Sequence, residues 1–201
     1  MSILSYAELQ GAVQIWIARA DLAANVADFI ALFEATANRR LRVRQMLVTT
    51  TLAPSGGDAT LPADYLEWKR VTWTGARRRE LAYVDPDWLQ FAYPAIAADL
   101  PNVFTIEGSV LKIRPLDDTA LEFCYYQKIP TLSNAAPANW LIAASPDAYL
   151  FGALAEAKAF VEDFDGAQVW MARRDAAFAE IDRLSRASQA QASMRTTGPT
   201  P

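Results

Sequence analysis

The segment Ser145–Val161, SPDAYLFGALAEAKAFV, sets the tightest condition on the fold. Its first residues suit a helix start: Ser145 as cap, Pro146 at the first helical position, and Asp147 at the positive end of the dipole. Its body places small residues at Ala148, Gly152, Ala155 and Ala159 beside a bulky row of Tyr149, Leu150, Ala153, Leu154, Ala157, Phe160 and Val161. Only Glu156 and Lys158 clearly want water. A helix with so little polar surface must be covered on most of its circumference. Glycine inside a helix costs roughly 1 kcal/mol relative to alanine, so a close helix neighbour is expected at Gly152. Two neighbours in the same chain would leave the face of Ala148, Gly152, Ala155 and Ala159 over, available to another subunit.

The two ends of the chain supply such neighbours. Ser5 and Glu8 have capping-box spacing, and Leu9, Val13, Trp16 and Ile17 form one apolar stripe. The segment RADLAAN breaks this helix, and Asn25 is placed to cap a second one. That helix carries Val26, Phe29, Ile30, Phe33, Ala37 and Leu41, widened by Leu32. It ends in Arg39, Arg40, Arg42 and Arg44. Cations are favourable at a helix C-terminus, and the same cluster suits an acidic surface of a neighbouring subunit or partner. The last helix is expected to start after Asp165 or Gly166, with Trp170, Ala177, Phe178, Ile181 and Leu184 inward. Glu180 with Arg183, and Asp182 with Arg186, have helical ion-pair spacing.

Residues 45 to 130 differ in character. Short runs of β-branched and aromatic residues alternate with turn signals: MLVTTTLA, SGGD, LEWKRVTW, TGARRR, ELAYV. VFTI and VLKIRP flank a tight hairpin at Glu107, Gly108 and Ser109. ALEFCYYQKI follows a turn at Asp117 and Asp118. A short helix opens at Asp85 and Pro86 within DPDWLQFAY. Consecutive strands so closely connected pair antiparallel.

The expected fold is therefore α+β. A helical bundle forms from the N- and C-terminal helices (about 5–43 and 145–187), with an antiparallel β insertion at about 45–130. Residues 1–187 make one domain, and 188–201, small and polar with a Gly-Pro end, form a flexible tail.

Composition removes several functions. The 201 residues contain no histidine, so Ser-His and Cys-His catalysis and His-based metal sites are out. The single cysteine, Cys124, excludes an internal disulfide, and its setting among aromatic strand residues suits a small buried hydrophobe. A net charge of −4 argues against gripping nucleic acid through overall charge. The apolar runs are too short for a membrane span and the N-terminus lacks a signal pattern. Calcium binding at DFDG fails because Val161 and Ala172 fall where ligands belong. No cofactor is expected.

Four segments, in order, resemble the head-to-tail adaptor proteins of short-tailed bacteriophages, the tail tubular A type. These are FIALFEATANRRLRVR; ATLPADYLEWKRVTW with RRRELAYVDPDWL; FTIEGSVLKIRPLDDTALEFCYYQKIPTLS; and NWLIAASPDAYLFGALAEAKAFVEDFDGAQVWMARRDAAFAEI. The resemblance implies a non-enzymatic virion protein made in the host cytoplasm and placed at the head–tail junction. It implies a homo-oligomeric ring, commonly of twelve copies, between the portal protein and the next tail or nozzle protein. Genomic DNA would pass through its channel without specific binding, for which an acidic balance is suited. On this reading the tail docks on the portal, with Met194 as apolar anchor and Arg195 as charged contact.

Two other classes compete. A muralytic tail-associated glycosidase needs two carboxylates about 5 to 9.5 Å apart across a cleft; Asp117 with Asp118, or Glu162 with Asp163, are the candidates. A small DNA-binding regulator would use Arg77, Arg78 and Arg79 at a hairpin tip together with the arginines of the second helix.

Overall fold

The protein is described by a computed structural model, which covers residues 3–92 and 100–196, the last nine (188–196) by backbone alone. The chain divides into two compact units. The helical unit combines residues 1–45 with 129–201, and the β unit is continuous from Met46 to Lys128.

In the helical unit, α1 (Tyr6–Ile17) begins at the expected capping box: the Ser5 hydroxyl accepts from the Glu8 N–H, and the Glu8 carboxylate accepts from the Ser5 N–H. It ends at Ala18 in the left-handed region, φ 54°. A 3₁₀ segment, Ala20–Asn25, runs straight into α2 (Val26–Arg40). Asn25 is thereby already in a helical conformation (φ −93°, ψ −7°), so it makes no cap hydrogen bond and the expected role fails. The chain returns through α4 (Trp140–Ala144), α5 (Pro146–Phe160) and α6 (Phe164–Thr196). Asn139 caps α4 by accepting from the N–H groups of Leu141 and Ile142. Ser145 makes no side-chain cap to α5, because it also closes α4 through its N–H to Leu141. Asp163 opens α6, accepting from the Gly166 N–H, earlier than the sequence reading placed it. Helical backbone then continues to Thr196, well past position 187.

The core of this unit is α5, which packs against α1, α2, α4 and α6. Leu9, Ala12, Val13, Ile17, Val26, Phe29, Ile30, Phe33 and Ala37 are buried from the N-terminal side; Ala177, Phe178 and Ile181 are buried from α6. Three residues expected inside are not: Leu32 is 52% exposed, Leu184 55% and Trp16 47%.

The β unit is two four-stranded sheets. One has the order β1 (Leu47–Leu52), β8 (Leu121–Gln127), β3 (Tyr65–Trp73), β4 (Arg79–Glu80). The other has the order β2 (Asp58–Thr60), β7 (Val110–Arg114), β6 (Val103–Glu107), β5 (Ala82–Tyr83). They enclose one core that includes Leu52, Val71, Trp73, Phe104, Leu111, Ile113, Leu121 and Phe123. The β6–β7 hairpin turns on Gly108 and Ser109, with Gly108 at φ 59°, a conformation glycine adopts without a Cβ penalty. Asp85 opens α3 (Pro86–Ala92) as expected, accepting from the Asp87 N–H. The all-antiparallel expectation needs one correction: β5 pairs with β6 in parallel, Ala82 opposite Val103. The connection between them includes α3 and is long enough for a crossover. Cys124 is also corrected. Leu121, Phe123 and Tyr125 point into the core, so Cys124 faces out and is half-buried.

Candidate interaction surfaces

The small-residue face of α5 is closed within the chain. Ala148 and Ala155 are fully buried, Gly152 is buried, and Ala159 is partly buried. A Cβ on Gly152 would lie 1.9 Å from Cδ2 of Phe33 on α2. The glycine is there because an aromatic ring rests on bare backbone. The close contact lies inside the chain: Gly152 meets the Phe33 ring of α2, and Ala148 and Ala155 are buried.

Behind that contact lies a buried polar group that helix periodicity did not indicate. Glu34, on α2 and 4% exposed, accepts from the Leu132 N–H at 2.9 Å and from the Tyr149 hydroxyl at 3.0 Å. Burial pushes the Glu34 carboxyl above its usual range, against the opposing pull of Leu132, Tyr149 and Thr131. The Tyr149 hydroxyl, raised by burial and then by the Glu34 charge, also accepts from the Asn139 amide at 2.7 Å. The same amide donates to the Pro130 carbonyl, and Asn38 accepts from the Ile129 N–H. These bonds pin the returning chain, 129–139, onto α2 and α5. The buried acid is held by one tyrosine and a backbone amide, and its bonds tie these segments together.

The arginine cluster is not one patch. Arg40 forms an ion pair with Asp175 of α6 at 2.5 Å and lies over the Phe178 ring, so it is committed inside the unit. Arg42 donates to the carbonyls of Asn38 and Leu41, closing α2. Arg39 is exposed and donates to the Thr36 hydroxyl, and Arg44 is exposed. Met194 and Arg195 lie on the final stretch of α6, where side chains fall outside the described residues.

Among the competing candidates, Asp117, Asp118, Asp163 and Arg78 have local duties. Asp117 accepts from the Thr119 N–H and the Trp73 indole, and these bonds outweigh burial to hold its carboxyl below the usual range. Asp118 accepts from the Gly57 N–H, and Asp163 is held by Lys158 and Gly166. Arg78 and Arg70 both pair with Glu122. Among the described residues no acidic, histidine or cysteine cluster is arranged to hold a metal ion, and no helix is long and apolar enough to cross a membrane.

Exposed apolar side chains of the helical unit include Leu4, Leu32 and Leu184 as well as two aromatic groups. Towards α1, Trp16 meets Trp170 edge-on (centroids 5.7 Å), Trp170 stacks on Phe151 (5.6 Å), and the Arg173 guanidinium covers Trp170 at 4.9 Å. Ile15 and Val169, 63% and 54% exposed, extend this face. Beside it a groove of about 400 Å³ is lined by Gln14, Ile15, Ala18, Arg19, Ala20 and Ala23. Towards α2, Phe160 rests on Phe29 (5.5 Å) yet is 58% exposed, and Phe164 is 63% exposed. Trp16 and Trp170 were expected in the core; the signal available in the sequence was their size, since aromatic and arginine side chains together mark contact surfaces.

Comparison with curated protein sequences finds no match. The family profile described as SU10 adaptor protein matches residues 4–197, nearly the whole chain and both units. The residues that carry the head-to-tail resemblance all lie inside that span, and the chain belongs to the phage SU10 adaptor protein family.

Proposed function

We propose that this adaptor assembles as a ring, of about twelve copies by analogy with the tail tubular A type, between the portal and the next tail or nozzle protein. Genomic DNA passes through it during retention and ejection. The observation that carries the reading is the family match across both units, 4–197. It is supported by the amount of apolar and aromatic surface left open on the helical unit, more than an isolated subunit needs. A net charge of −4 suits a wall along which DNA slides without adhering. In this assembly Met194 and Arg195 contact the portal, and Arg39 and Arg44 face a neighbouring subunit or partner ring; Arg40 is excluded by its bond to Asp175, and Arg42 by its bonds to the carbonyls of Asn38 and Leu41. Mass photometry and negative-stain microscopy, with and without a portal ring, test the proposal. The expected result is a ring-shaped species, templated by the portal. Persistence of single subunits under both conditions overturns it.

A further inference from the structure

We propose that adjacent copies join through a heterologous contact: the turn Phe160–Asp165 of one copy docks on the face of Trp16, Trp170 and Arg173 of the next. The inference rests on the ring reading and names the surfaces that would build it.

The two surfaces are distinct places on the same unit. Trp170 and Phe164 are six residues apart on α6, about 120° around a helix of 3.6 residues per turn. Trp170 touches Trp16 of α1. Phe164 shares its side of α6 with Asp175, eleven residues on, and Asp175 bonds to Arg40 of α2. Each surface is apolar and aromatic, so either one can bury the other. Their charges are opposite. Arg173 has only ring faces as partners, Trp170 and Phe151, among the described residues. Glu162 and Asp165 are exposed and make no ion pair among the described residues, whereas Asp163 between them is bound to Lys158.

Charge decides what covers these surfaces. If the arginine face met its own copy across a two-fold axis, Arg173 would oppose Arg173; if the turn met itself, the carboxylates would crowd together. Like charges brought together disfavour both symmetric pairings. Turn against face satisfies both surfaces at once, and each joined pair then keeps one free face on one copy and one free turn on the other. A contact of that type propagates and closes into a ring when the rotation permits.

The backbone adds an independent sign. Glu162 sits at φ 60°, a left-handed position beyond the end of α5 where glycine or asparagine is the comfortable choice. A glutamate is a strained choice for that helix end, and the proposed contact gives its side chain a partner.

The test is a charge exchange on the full chain, with ring formation on a portal ring read by mass photometry. Arg173→Glu and Asp165→Arg, each alone, are expected to weaken assembly by about tenfold or more. The variant carrying both changes should recover it. An equimolar mixture of the two single variants should recover it as well, because each altered face then finds an altered turn. Glu162→Gly guards against a folding artefact: its Tm should equal or exceed that of the parent, yet its assembly should be weaker. Parent-like assembly by the single variants and by Glu162→Gly overturns the contact while the ring reading stands. Failure of the parent itself to form rings overturns both.

Discussion

The two units bury their cores by different rules. In the β unit the strand alternation is clearest on β8, where Leu121, Phe123 and Tyr125 are buried while Glu122, Cys124 and Tyr126 are not; residues 71–73 of β3 and 103–105 of β6 are buried without alternating. The helical unit follows its periodicity only in part. Val26, Phe29, Ile30 and Phe33 go inside as the 3.6-residue period predicts, yet Leu32, Trp16 and Leu184 remain exposed and Glu34 is buried. A strand has two faces, so period two is nearly a complete instruction. A helix has a continuous circumference, and the arc that is buried depends on which neighbours arrive. Polar groups differ likewise. In the β unit Asp64 accepts from the Tyr125 hydroxyl, which burial and then that bond push up to about 12. In the helical unit a network of Glu34, Tyr149 and Asn139 ties the returning chain to the helices it left.

The two largest breaks in this comparison are core substitutions, Phe123→Ala in the β unit and Gly152→Leu in the helical unit. The Phe33 ring leaves no room for a Cβ, so the substitution is expected to cost about 3 kcal/mol, the upper part of the overpacking range. Phe123→Ala in the β unit should cost a similar 3–5 kcal/mol by cavity formation. Hydrogen exchange would locate each loss. If Gly152→Leu leaves the helical amides as protected as in the parent, the ring-on-backbone contact is not the constraint described above.

A smaller effect separates the two asparagines. Asn139→Ala removes the α4 cap and two further hydrogen bonds, and should destabilise by about 1–2 kcal/mol in urea titration. Asn25→Ala, where no cap bond exists, should stay within about 0.5 kcal/mol. Equal losses would mean that cap chemistry does not distinguish the two helix starts.

The smallest expected effect is a slope. Burial raises the folded-state pKa of Glu34 above its unfolded value. Its contribution is therefore fully present below the unfolded pKa and is lost as pH rises through the higher folded value. Tm of the parent should fall across that window relative to Glu34→Gln, whose amide does not titrate. Parallel Tm profiles for the two proteins from the acidic range to neutrality would remove Glu34 from the account.

Much of this architecture was legible before the structure. The capping box of Ser5 and Glu8, the Gly108 hairpin and the Asp85–Pro86 helix start depend on a few adjacent residues, and local geometry suffices to specify them. The order of four segments between Phe29 and Ile181 pointed to the head-to-tail adaptors, and the family match covers all of them. The candidate site was less legible. Arg40 looked like its neighbours Arg39 and Arg44 until Asp175, 135 residues away, bound it. Glu34 looked like a surface acid until the chain at Leu132 returned to it.

The sequence by itself determined the α+β class and most of the helices and strands, that Gly152 needs a close neighbour, and that no thiol–imidazole or serine–imidazole chemistry is available. Only the tertiary structure decided that this neighbour is Phe33 of the same chain, which closes the small-residue face and leaves the Trp16–Trp170–Arg173 face and the Phe160–Asp165 turn open. The reason is the range of the forces involved. Caps, turns and alternation act over a few residues, whereas the burial of one helical arc rather than another is settled by packing between segments more than a hundred residues apart.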